Sequence, residues 1–178
     1  MSITFRKAER ADLDAVCRIY DNIHTAEEQG QAVIGWKRGI YPVRATAEAA
    51  LARGDLFVED LDGTVVGTGI LNQLQVDVYA GAPWSYDVPD SEVMVLHTLV
   101  IDPQAGVPGL GRAFAAYYEE YALTRGCRCL RIDTNERNAR ARAFYRRLGY
   151  REIGIVPCTF NGLEAVRLVL LEKTLPDA

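Results

Sequence analysis

Several things are scarce in this sequence, and each scarcity closes off a class. No stretch approaches the roughly 18 consecutive apolar residues of a membrane-spanning helix. The opening Met1-Ser-Ile-Thr-Phe-Arg-Lys-Ala8 holds no apolar run leading to a small-residue cleavage site. A cytoplasmic protein with no membrane partner is the expectation. Cysteine is sparse: Cys17, Cys127, Cys129 and Cys158 make no paired C-x-x-C spacing. Cys127 and Cys129, two apart on one face of an expected strand, have no second pair or neighbouring histidine to complete a zinc set. Buried thiols and no metal site are expected. An internal repeat and a low-complexity tract are also lacking, so neither a repeat array nor a disordered chain is indicated.

What is present is globular in proportion, with 49% hydrophobic and 25% charged residues among 178. A chain of this length buries about two thirds of its unfolded surface in one domain, and residues 1–178 are read as a single domain. The net charge of −4 is unevenly spread. Residues 104–151 hold ten of the twenty Lys+Arg but four of the twenty-four Asp+Glu, which makes that segment +6 and the remainder −10. A short basic segment in an acidic chain suits a small polyanion better than nucleic acid, which needs a broader basic face. A solvated arginine-rich helix explains the charge equally well.

The pattern along the chain is α/β. A strand at 3–7 precedes a helix opened by Asp12, with Leu13, Val16, Cys17 and Tyr20 at helical spacing. Residues 25–42 lack clean periodicity and read as a partly helical or loop excursion. A helix over 46–53 stops at Gly54, and strands at 56–59 and 65–74 flank the hairpin pair Asp62-Gly63. Residues 77–91 read as a polar-aromatic loop and a candidate substrate lid containing Tyr86. A strand at 92–101 then runs through Gly106-Val-Pro-Gly-Leu-Gly111 into a helix at 112–125. A strand at 128–133, a helix at 138–148 and two strands around Asn161-Gly162 close the chain.

A strand that ends in a glycine loop and a helix is suited to anions. The glycines let a phosphate approach the backbone, and the helix N-terminus carries about half a positive charge. By itself this loop fits tight packing equally well. It does not stand by itself: Leu99-Val-Ile-Asp-Pro103, Gly109-Leu-Gly-Arg-Ala113, Asp133, and Asn138-Ala-Arg-Ala-Arg-Ala-Phe-Tyr-Arg-Arg-Leu-Gly-Tyr150 follow in the order and spacing of the GNAT N-acetyltransferase signature. The chain resembles that superfamily closely over 93–156 and loosely throughout. Trp36-Lys-Arg-Gly-Ile-Tyr-Pro42 is similar to an element in one subgroup, which makes Trp36, Tyr41 and, from the loop, Tyr86 candidate acceptor contacts.

The resemblance implies a GNAT-like mixed, mostly antiparallel central sheet flanked by helices and splayed between the fourth and fifth strands, where acetyl-CoA is wedged as acyl donor. It implies that the backbone of Leu99, Val100 and Ile101 pairs with the pantetheine arm, with an N–H near Leu99 polarising the thioester as an oxyanion hole does. The loop Val107, Pro108, Gly109, Leu110, Gly111 and Arg112 would hold the pyrophosphate, and Asn138 would touch the cofactor. Two departures stand out. The family usually carries Gln or Arg where Gly106 stands and Gly where Val107 stands, and Pro108 has no N–H to donate.

Tyr145 lies on the inward stripe with Ala141 and Leu148, and the resemblance makes it the acid that protonates the leaving CoA thiolate, a role open to a phenol with a pKa of about 10. A core tyrosine bonded to backbone is the alternative. The base is open between His97, which shares a strand face with Val95, Asp133, Glu92 and a water relay. Glu27, Glu28, Asp87, Asp90 and Glu92 suggest a cationic amine, small molecule or peptide, as acceptor. The activity implied is acetyl transfer to a primary amine by direct attack in a ternary complex. A non-catalytic acyl-CoA-binding module is the rival, and a homodimer is open. A dinucleotide-binding oxidoreductase fits poorly, because G-x-x-G-x-G reverses the usual order and follows about a hundred residues of non-repeating pattern.

Overall fold

The computed structural model describes residues 1–176. Seven strands form one sheet: β1 (Ile3–Lys7), β2 (Leu56–Leu61), β3 (Thr64–Asn72), β4 (Val93–Ile101), β5 (Cys129–Asn135), β6 (Arg151–Phe160) and β7 (Leu163–Thr174). Their order is β1-β2-β3-β4-β5-β7-β6. Neighbours are antiparallel except β4 and β5, which run parallel. The helices are α1 (Leu13–Glu28), α2 (Arg44–Arg53), α3 (Leu110–Thr124) and α4 (Ala139–Arg147). Among the described residues no helix is long and apolar enough to cross a membrane.

The two faces of the sheet have different covers. Val16, Ile19, Tyr20 and Ile23 of α1 pack with Ala47 and Ala50 of α2 over Val58, Ile70 and Val100. On the other face Phe114 and Tyr118 of α3 and Tyr145 of α4 pack over Phe57, Leu96, Ile132 and Leu171. Alternation along each strand sends neighbouring apolar residues to opposite covers, so Phe57 and Val58 serve different cores. The β1–α1 junction is clamped by Asp12, whose carboxylate accepts from both Arg6 guanidinium nitrogens at 2.6 and 2.9 Å and from Glu9 N–H at 2.7 Å. The hydrogen bond from Arg6 holds the Asp12 carboxyl below its usual range.

Both expected hairpin turns form with the paired positive φ that their residues permit: 50° and 88° at Asp62 and Gly63, 49° and 83° at Asn161 and Gly162. Boundaries elsewhere move. α1 continues to Glu28, into the segment read as aperiodic, and β3 stops at Asn72, whose Oδ1 takes the Leu74 N–H at 3.0 Å. Cys127 and Cys129 do not share a face. β5 begins at Cys129, so Cys127 falls before it and joins the α3-side core while Cys129 joins the cluster beneath the 73–92 loop. Cys17 and Cys158 are only partly buried.

The segment expected to act as a lid is tied down. Arg131 reaches Gln75 Oε1 at 2.5 Å, lies 4.1 Å from the Trp84 ring centroid and donates to Tyr86 O at 3.4 Å, while Glu172 accepts the Ser85 N–H at 2.7 Å. A cation on an aromatic face and buried charge-assisted bonds both resist opening.

One buried group is left uncompensated. Glu59 on β2 is fully buried, and neither carboxylate oxygen has a hydrogen-bond partner among the described residues. Opposite it stands Gly67, where a Cβ would lie 2.6 Å from Oε2. Burial pushes the Glu59 pKa up to about 7. A raised pKa in the folded state means the fold favours the protonated form. Stability therefore falls as pH climbs from the unfolded value of about 4.3 through the folded one, and the cost is complete above it. Glu59→Gln should melt at a higher temperature than wild type at about pH 8, by a gain of about 1–3 kcal/mol, and at nearly the same temperature at about pH 4. Thermal melts at the two pH values check this, and parallel pH profiles would refute it.

Candidate active site

β4 and β5 pair only from Val93 opposite Cys129 to Leu96 opposite Ile132, although both strands run on. The register between β3 and β4 slips here: Ile70 faces His97 and Thr68 faces Val100, and Thr98 adopts φ of 50°, an outlying value for a β-branched residue. Such a bulge bends the strand that carries it. The backbone of β4 beyond Leu96 thus has β3 on one side and no strand on the other, as the expected splay requires.

A cavity of about 110 Å³ occupies the parting. Its walls come from six places in the chain: His97 to Leu99 on β4, Asp133 to Asn135 on β5, Asn138 and Tyr145 at α4, Trp36 and Tyr41 from the loop after α1, Phe160 at the end of β6, and β7. Asp133 is the only carboxylate in the lining, which contains no cysteine, serine, lysine or arginine.

Tyr145 is 6% exposed, and its hydroxyl has no hydrogen-bond partner among the described residues. A core tyrosine would normally satisfy that group on backbone. Burial first, and the Asp133 charge second, raise its pKa, so the phenol keeps its proton. Asp133 Oδ2 accepts from the Tyr79 hydroxyl at 2.6 Å. Desolvation lifts its pKa to about 6, against the opposing effect of the Tyr79 bond. His97 faces a different network. Its Nε2 lies 2.8 Å from Asn72 Oδ1, and Asn72 in turn donates to Asp55 at 2.9 Å. Burial lowers the imidazole pKa to about 4, well below the 6 to 7 of an unperturbed ring. His97 is neutral at physiological pH and a weak proton acceptor.

The other expected residues divide by position. Leu99 lines the cavity, Val100 points into the α1-side core, and Ile101 packs on the α3 side. Gly109 caps α3 with φ of 87°. Gly111 sits between Ile101 and Phe144, each of which a Cβ there would meet at an ordinary contact distance of 3.7 Å, so the start of α3 lies between the end of β4 and α4. The first-turn N–H groups from Leu110 to Arg112 are the donors that a helix start leaves without intrahelical acceptors. Arg112 is exposed beside them, whereas Pro108 contributes shape only. Asn138 caps α4 through Oδ1, which takes the Ala141 N–H at 3.0 Å. Trp36 and Tyr41 stack edge to face, and the Tyr41 hydroxyl is bonded to Thr98 Oγ1.

Two expectations change. Tyr86 is not among the cavity walls, because its loop is held against Arg131. Neither is any acidic residue that suggested a cationic acceptor: Glu27 is spent on the Ile34 and Gly35 N–H groups at 2.5 and 3.1 Å, and Glu28 on Arg38. Asp87, Asp90 and Glu92 lie outside the lining as well. Tyr79 and Thr98 were missed, and no local pattern marks them, since each matters through a partner more than 50 residues away. Among the described residues no group of three or more His, Cys, Asp and Glu is placed to hold a metal ion.

A mixed sheet parted between two parallel strands, with a glycine loop feeding a helix at the parting, defines a class of α/β protein with a splayed central sheet. The chain belongs to the acetyltransferase (GNAT) family, whose model matches residues 14–150. It is 33% identical over 100 residues to an uncharacterized N-acetyltransferase of Methanocaldococcus jannaschii, covering 56% of this chain and 40% of that one. It is 30% identical over 70 residues to the uncharacterized N-acetyltransferase YhfO of Bacillus subtilis, covering 39% and 47%. The matched stretch thus spans less than half of either relative. Among solved structures, a GNAT-family acetyltransferase from Streptococcus agalactiae 2603 superposes with a TM-score of 0.81 at 22% identity, over 98% of this chain and 96% of that one. YncA of Salmonella typhimurium, solved with its cofactor acetyl-CoA, gives 0.66 at 18% identity, over 100% and 96%. At these identities the likeness is one of fold.

The geometry predicts a titration order that needs no substrate. Carboxyl-carbon NMR should show Asp133 titrating near pH 6, with the His97 ring neutral down to about pH 4. Tyr79→Phe, which removes the donor that favours the carboxylate, should move the Asp133 midpoint upward. A downward or absent shift would contradict the Tyr79 contact.

Proposed function

We propose that this protein is an acetyl-CoA-dependent N-acetyltransferase that moves the acetyl group to a primary amine of a small molecule or peptide by direct attack in a ternary complex. One observation carries the reading: the unpartnered Tyr145 hydroxyl and the Asp133 carboxyl face the same cavity, at the point where the β4 edge lacks a strand partner. A module that only bound acyl-CoA would need neither a proton donor without a protein partner nor a carboxyl with a pKa moved into the working range.

The residues present fit the donor. The edge of β4 from Leu99 to Ile101 that faces away from β3 offers hydrogen bonds to an amide-bearing arm, and the first turn of α3 with Arg112 offers N–H groups and charge to a pyrophosphate. Bound acetyl-CoA supplies a thioester, activated for acyl transfer. Asp133, ionised above about pH 6, would take the proton from the ammonium formed when the neutral amine adds to the carbonyl. Backbone N–H near Leu99 polarises the carbonyl. Tyr145 gives its proton to the departing sulfur. No cysteine lines the cavity, and burial raises the thiol pKa of Cys127 and Cys129, so a covalent acyl-enzyme has no nucleophile at hand.

Calorimetry should detect acetyl-CoA binding, and its absence at about millimolar cofactor would sink the reading. With an accepted amine, Tyr145→Phe should lower turnover about ten- to a thousandfold while cofactor affinity barely changes. The rate should rise with pH through an apparent pKa near 6. That limb should survive in His97→Gln and vanish in Asp133→Asn. The opposite pattern would return the base role to His97, and unchanged turnover in Tyr145→Phe would make that tyrosine structural.

A further inference from the structure

Beside the reaction cavity lies a second groove of about 410 Å³, and the two share Gly35, Asn135, Leu163 and Val166 as walls. Their electrostatics differ. The inner cavity carries one ionisable carboxyl, Asp133, and no cationic side chain. The outer groove is lined by Lys37, Arg137 and Arg167 together with Glu136 and Glu164. Arg167 and Glu136 neutralise each other at 2.7 Å. Lys37 and Arg137 are exposed, and neither side chain has an ion pair or hydrogen bond among the described residues. After the internal pair is set aside, the outer groove keeps two cations against the single carboxylate Glu164, on the exposed start of β7.

The neck between the chambers supplies a third donor. Asn135 Oδ1 accepts the Arg137 N–H at 2.9 Å, which assigns the side-chain oxygen and leaves the Nδ2 group directed at Gly35. A Cβ at Gly35 would lie 2.3 Å from that nitrogen, and the glycine has φ of 87°. The carboxamide thus occupies space that only glycine leaves open, with its N–H groups lacking a protein acceptor among the described residues. Two unpaired cations and an amide donor around a groove are what a carboxylate needs, and bonds of this charge-assisted kind are stronger than neutral ones.

We infer that the outer groove seats a carboxylate of the acceptor, so that the amine acetylated belongs to an amino acid or short peptide rather than to a simple cationic amine. This rests on the N-acetyltransferase reading and specifies its acceptor. The polarity of the two chambers sets the direction: the ammonium goes inward to Asp133, the carboxylate stays outward by Lys37, Arg137 and the Asn135 amide. A diamine would place its second positive charge against Lys37 and Arg137.

The test pairs acids with amides. The L-amino acids and a set of dipeptides, each beside its C-terminal amide, are titrated into the protein saturated with CoA, and the same compounds are assayed with acetyl-CoA by thiol release. At least one acid should bind about ten- to a hundredfold more tightly than its amide, and Lys37→Met and Arg137→Leu should each remove about tenfold of that difference. Both residues are on the surface, so the variants should fold. Whether free amino acids or dipeptides show the larger difference decides between the two sources of the carboxylate. Amides binding as tightly as acids, no acid binding, or a preference unaltered in both variants would overturn the proposal. Acid-selective binding without acetyl transfer would support the carboxylate seat and instead sink the transferase reading.

Discussion

Everything about the site depends on β4 leaving β5. Four residues of parallel pairing hold the strands together from Val93 to Leu96, and the bulge at Thr98 then carries β4 away. Buried backbone groups without partners are costly, so a strand edge deprived of its neighbour is tolerated only where water or another hydrogen-bonding group can replace it. The same parting brings Tyr145, Asp133 and the Leu99 backbone around one volume although they belong to three elements. Tyr41 reinforces it from the far side, through its hydroxyl on Thr98 and its ring against Phe160.

Rigidity around the parting comes from the loop over residues 73–92, whose 77–91 stretch reads from the sequence as a candidate substrate lid. Arg131 and Glu172, opposite one another on β5 and β7, hold it through Gln75, Ser85, Trp84 and Tyr86. The pinned loop delivers Tyr79 to Asp133. A carboxyl aimed by a bonded phenol on a tethered loop is held to a narrower range of positions than one on a free segment, which suits the proton transfer proposed for it.

How much of this could be read beforehand follows the range of the interactions. The hairpins at Asp62-Gly63 and Asn161-Gly162, the glycine stop at Gly54 and the inward stripe that holds Tyr145 are local, and residue type and spacing were enough to place them. The glycine loop between β4 and α3 was legible for the same reason. Which of His97 and Asp133 suits the proton was not legible, because it turns on what surrounds each: Asn72 and burial for the imidazole, Tyr79 from 54 residues earlier for the carboxyl. The faces of Cys127 and Cys129 were misread because Cys127 precedes the start of β5, where the two-residue alternation of a strand does not apply. The acidic residues near the acceptor side were legible as charges but not as partners, and Glu27 and Glu28 prove to be consumed by the loop they hold.

Asp133 and Tyr145 also influence each other, and this bears on the order of events in the proposed reaction. While Asp133 is ionised, its charge helps to keep the Tyr145 phenol protonated, beyond what burial does. Taking the proton from the ammonium neutralises Asp133 and removes that electrostatic hold. The phenol is then a stronger acid than it was in the resting site, at the stage when negative charge develops on the leaving sulfur. Two groups coupled in this way titrate as a pair rather than singly. The burial of both side chains, which limits how far water screens the coupling, is therefore as much a part of the proposed chemistry as the groups themselves.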